Sequence, residues 1–142
     1  MRFRLFILAD NEKDALTVYD GCMEDIKDYI TEQLVFGIEP YWKFPDSYVI
    51  TVEFRWNIDQ KQFEHFLDSI CNSWLVTGGN LGYDEMLASA TSNCTRFIKD
   101  KVEMFIISME EDERWLISED LDYFISGYDA YYEDGEWCYR HK

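Results

Sequence analysis

The sequence predicts an α+β fold, a mostly antiparallel sheet with helices packed on it. Three observations carry this. Tyr48, Ile50, Val52, Phe54 and Trp56 occupy every second position of Ser47 to Trp56, the period of a strand with one buried face. Phe63, Phe66, Leu67, Ile70, Cys71 and Trp74 recur at the spacing of a helix face. "KVEMFIISM", Lys101 to Met109, reads as a further strand. Strands and helices following one another in this order build a layered domain, and a ferredoxin-like variant is compatible with it.

The elements follow in order. Arg2 to Ala9 is a first strand, with Phe3, Leu5, Ile7 and Ala9 on one face and Phe6 and Leu8 making the other partly apolar. "DNEKD" then turns the chain. Asn11 can cap a helix whose third position is Asp14. Leu16, Tyr19, Met23, Ile26, Ile30 and Leu34 follow at spacings of three and four, which predicts one long helix ended by Gly37. Gly21 weakens its middle by roughly 1 kcal/mol relative to alanine. "IEPYWKFPD" is a loop holding both prolines. On the strand from Ser47 to Trp56 the second face, Val49, Thr51, Glu53 and Arg55, is half polar.

A second helix starts at the cap Asp59. Gln62 can complete a capping box, and Ile58 can staple onto Phe63. "TGGNLG" ends it. Asp84 to Thr91 reads as a strand, while "NCTRFIKD" fits a helical turn or half a hairpin. After "EEDE", Ser118 can cap a short helix with Leu121, Phe124 and Ile125 on its apolar side, stopped by Gly127.

Residues 1–142 read as a single domain, long enough to bury a core without staples. Aromatic residues make up 18%, too many for a disordered chain. The net charge is -16. That excess disfavours nucleic acid and anionic membrane, whose phosphates require lysine and arginine, and it favours a cationic partner. Cys22, Cys71, Cys94 and Cys138 form no C-x-x-C pair. No signal segment or membrane span is visible. The reading is a cytoplasmic protein with reduced thiols.

Chemistry is sparse. His65 lies inside the second helix with no second histidine a turn away, and His141 is next to the end. "EHFLD" is not a zinc motif, and "TGGNLG" follows a helix instead of preceding one and lacks the lysine of a phosphate loop. No nucleophile elbow occurs. Acidic runs do not match a calcium loop. Neither catalytic residues nor a metal or cofactor site are expected.

Charge is distributed unevenly. Glu110 to Glu136 holds eleven acids and one base, Arg114. The same stretch is rich in tryptophan and tyrosine, rings that supply rigid contact area with a polar tip and that receive lysine and arginine through cation–π contacts. The candidate binding surface is therefore Glu119, Asp120, Asp122, Tyr123, Tyr128, Asp129, Tyr131, Tyr132, Glu133, Asp134, Glu136 and Trp137. The rings would anchor, and the acids would steer and pair.

In size, acidity and clustered aromatics the chain resembles bacterial immunity proteins, including those of contact-dependent growth inhibition. That resemblance is one of overall character; immunity proteins share no single fold. It implies a non-enzymatic role, in which an acidic, aromatic surface covers the groove of a cognate basic toxin, such as a nuclease, and keeps its substrate out. Two other readings are an acidic nucleic-acid mimic that blocks a DNA-binding protein, and a small enzyme with a site near His65.

Overall fold

The computed structural model describes residues 1–72, 74–77, 84–89, 96–116, 128–134 and 136–141. In chain order these form β1 (Arg2–Leu8), α1 (Glu12–Met23), β2 (Ile30–Pro40), β3 (Ser47–Trp56), α2 (Gln60–Ile70), β4 (Leu75–Thr77), β5 (Asp84–Ser89), β6 (Val102–Met109), β7 (Tyr128–Glu133) and β8 (Glu136–His141). Short 3-10 turns occupy Lys27–Tyr29 and Glu111–Leu116. The architecture is α+β, as the sequence predicts. β1 to β6 form one antiparallel sheet in the order β2-β3-β1-β6-β5-β4, and β7 and β8 form a separate ribbon. The succession β1-α1-β2-β3-α2-β6 is that of a ferredoxin-like unit, with β4 and β5 inserted before its last strand.

The alternation of β1 and β3 fixes the buried face. Phe3, Leu5 and Ile7 are fully buried and lie opposite Val52, Ile50 and Tyr48. Ala15, Tyr19, Cys22 and Met23 from α1 and Phe63, Phe66, Leu67 and Ile70 from α2 join the same core. Phe3 is its hub. Its ring stacks on Phe66 at 5.5 Å and meets Phe54, Phe105 and Trp56 edge-on at 4.9, 5.1 and 5.9 Å. Such offset and edge-on pairs suit the ring quadrupoles.

Both helix starts form as their sequences dictate. The Asn11 side chain accepts from the Asp14 amide at 2.9 Å. At α2, Asp59 accepts from the Gln62 amide at 2.8 Å and the Gln62 side chain accepts from the Asp59 amide at 3.0 Å. Each such cap contributes about 1 kcal/mol.

Three expectations are corrected. The helix expected to continue from Asn11 to Leu34 stops at Met23, and Ile30–Pro40 is instead β2, paired along its length with β3. Ile30 and Leu34 extend the helical spacing by coincidence, and pairing with β3 overrides it. Ile38 to Pro40, expected in a loop, therefore close that strand. α2 ends at Ile70, not at Trp74; the Trp74 indole donates back to the Leu67 carbonyl at 3.2 Å and is buried apart from the helix. β4, β7 and β8 were not expected as strands. The short helix expected from Ser118 lies outside the described residues.

Two buried acids are kept neutral. Burial pushes the Cys22 thiol up to about 11 from 9.0. Burial, reinforced by Asp20, pushes the Tyr19 hydroxyl up to about 12 from 10.0. The unfolded chain ionises both at their ordinary values. The folded state is thus fully favoured below about pH 9 and loses stability as pH climbs from there through about 12. Urea midpoints measured across this range are expected to fall, and Cys22→Ala is expected to move the onset of the fall upward.

Candidate protein-binding surface

The acidic, aromatic C-terminal stretch is partly visible as the β7–β8 ribbon. Tyr132 lies opposite Trp137, Tyr131 opposite Cys138, Glu133 opposite Glu136 and Asp129 opposite Arg140. Successive strand positions alternate faces. Positions 128, 130, 132, 137, 139 and 141 therefore share one face of the ribbon, and 129, 131, 133, 136, 138 and 140 the other. The first set is aromatic apart from Ala130 and His141; the second holds Asp129, Glu133, Glu136 and Arg140. Of the candidate residues, Tyr128, Tyr132 and Trp137 fall on the first face. Asp129, Tyr131, Glu133 and Glu136 fall on the second. Asp134 is the exposed turn residue, in a left-handed conformation with φ 52°. Glu119, Asp120, Asp122 and Tyr123 lie outside the described residues. The ribbon was legible in Asp134-Gly135, the dipeptide favoured by two-residue hairpin turns.

Two grooves lie at opposite ends of β1. The first, about 470 Å³, opens at its C-terminal end. Leu8, Ala9 and Val18 line its apolar part, and Asp10, Asp14, Asp46 and Asp100 surround it with Lys101. Its walls are stitched to β1 by the backbone. The Leu8 amide donates to the Lys101 carbonyl and the Ala9 amide to the Asp46 carbonyl, both at 2.8 Å. Asp46 and Lys101 both hold left-handed backbone, φ 60° and 69°. That conformation costs a non-glycine residue about 1 kcal/mol, and here both carbonyls are held by the last amide of β1 and the one that follows it. Among the described residues no cation pairs with Asp10, Asp46 or Asp100.

The loop between β2 and β3 carries Asp46 into this groove and displays aromatic side chains. Trp42 is 87% exposed and Phe44 is half exposed. Their support is Tyr41. Its ring packs edge-on against Phe6 at 5.1 Å and lies 6.1 Å from Trp42 and 5.7 Å from Phe44, and its amide donates to the Ser47 carbonyl at 2.8 Å. The Lys43 ammonium sits 5.7 Å from the Phe44 ring centre. Alternation and spacing did not single out these residues, because the loop has no period. The signal was present in "PYWKFP": three rings between two prolines, with no pattern able to bury them.

The second groove, about 380 Å³, lies at the N-terminal end of β1. Leu34, Trp56, Ile58 and Trp115 give it apolar walls, and Arg55, Glu110, Asp112 and Glu113 give it charge. Glu113 is engaged by the Met1 ammonium at 2.9 Å. Glu110 and Asp112 are exposed and have no ion-pair partner among the described residues. Trp115 is 56% exposed; its carbonyl accepts from the Gln60 side chain, which ties the turn to the start of α2. Glu110, Asp112 and Glu113 are the one acidic group among the described residues close enough to share a metal ion, and the N-terminal ammonium already neutralises one of them.

His65 is exposed on α2 and lines neither groove. Among the described residues no helix is long and apolar enough to cross a membrane. Comparison of the chain with protein-family models, with curated proteins and with solved structures returned no match.

Proposed function

We propose that this chain is a cytoplasmic, non-enzymatic inhibitor of the immunity type, which binds a cognate toxin with a basic surface and covers its substrate groove. The observation that supports this most is the conjunction of carboxylates lacking a cation with aromatic side chains left in water. Asp46 shares the β2–β3 loop with the exposed Trp42 and a groove with Asp10 and Asp100, and Glu110 and Asp112 share a groove with Trp115. Exposed tryptophan loses contact energy until a partner buries it, and rings of this kind dominate interface energetics. Unpaired acids beside them supply the complementary potential, which raises the association rate and rejects acidic partners. The chain's net charge of -16 adds to the same negative potential.

The test is co-expression. The reading frame next to this gene, induced in a heterologous bacterium, is expected to arrest growth alone and to be tolerated together with this chain. The purified pair is expected to bind stoichiometrically, with affinity falling about tenfold or more between low and physiological salt. A harmless neighbour, or a complex indifferent to salt, overturns the reading.

A further inference from the structure

β2 is the last strand on its side of the sheet, and among the described residues no strand lies beyond it. Such an edge presents unpaired N–H and C=O groups to any extended chain. Proteins ordinarily guard it with short length, lysines, prolines or bulges. β2 is eleven residues long, ITEQLVFGIEP, and has neither lysine nor arginine. Register irregularities between Ile30 and Glu32 and between Gln33 and Val35 blunt its first half. From Val35 to Pro40 the pairing with β3 is unbroken, so the free side of this half is a regular template that stops where Pro40 lacks an N–H.

The side chains on this half suit an added strand. Val35 is 46% and Phe36 40% exposed, and Gly37 has open space where a side chain would stand. Trp42 and Phe44 follow directly at the strand's end, supported by Tyr41. The charge decides the occupant. A second copy would bring another -16 against the first. Glu39 on this strand has no ion-pair partner among the described residues. A segment carrying lysine or arginine between apolar residues satisfies both the backbone and the field.

Resting on the reading of the chain as a binder of a basic toxin, we propose that β2 is where that partner docks: an extended basic segment adds to the sheet alongside Val35 to Glu39, its end held by Trp42 and Phe44.

The probe is a short synthetic peptide alternating arginine with valine, titrated into the full chain. Controls are the same peptide with alternate backbone amides methylated and a glutamate–valine counterpart. The basic peptide is expected to bind and to slow amide exchange in β2 about tenfold. Methylation, which removes strand pairing but not charge, is expected to weaken binding about tenfold, and the acidic peptide is expected not to bind. Val35→Lys restores an ordinary edge guard at an exposed position; it should leave the melting temperature unchanged and weaken the peptide about tenfold. Equal binding of the methylated peptide, or unchanged exchange in β2, overturns the docking site. If Val35→Lys still protects cells as fully as the parent chain, the docking site fails while the inhibitor reading stands.

Discussion

Replacing Phe3 with alanine is expected to remove a large share of the chain's folding stability. Phe3 is fully buried and its ring touches four other aromatic rings, from β3, α2 and β6. Removing a phenylalanine from such a position costs about 3–5 kcal/mol, because the transfer energy is lost and the surrounding rings cannot collapse into the space. Domain stabilities are about 5–15 kcal/mol in total. Urea unfolding followed by tryptophan fluorescence gives the loss directly. Phe3→Leu keeps most of the volume and is expected to cost less than half as much. If alanine costs under about 1 kcal/mol, the network around Phe3 is not the centre of the core.

Trp42→Ala is expected to do the opposite: to leave stability within about 0.5 kcal/mol and to weaken binding of the partner about thirtyfold or more. The indole is almost wholly in water and sits above Tyr41 without entering the core. Truncating a central aromatic of an interface costs about 2 kcal/mol or more, equivalent to roughly thirtyfold in affinity. Calorimetry with the partner identified by co-expression, alongside a thermal melt, separates the two effects. An unchanged affinity would place this loop outside the interface. Asp46→Asn on the same loop removes charge but no ring; it should act mainly on association rate and salt dependence.

Much of the sheet is legible in the sequence. β3 matches its expected span because one of its faces is buried, so burial and sequence share a period of two. The start of α2 was legible because a capping box is a local chemical signature. β2 departs from its expected helix for the converse reason. It is an edge strand exposed along nearly its whole length, so Thr31, Gln33, Val35 and Gly37 carry no alternation, and Ile30 and Leu34 continue the spacing of α1 by chance. β4 has three residues and offers no period. For the surface, composition located the acidic, aromatic ribbon but not the segregation of its positions, which depends on register. The two grooves were hidden because their walls come from distant segments. Asp10, Asp46 and Asp100 meet only because β1 lies between β3 and β6.

That central place of β1 also bears on how the chain is born. Its neighbour on one side is β6, almost a hundred residues downstream. At roughly 5–20 residues per second, the ribosome releases β6 on the order of 5–20 seconds after β1. During that interval Phe3, Leu5 and Ile7 can pair only with β3, and the flank reserved for Phe105 and Ile107 stays bare. Closing so distant a pair is slow. The nascent protein thus has a defined window in which a chaperone could shelter it, and pausing during translation of residues 71 to 101 would lengthen that window.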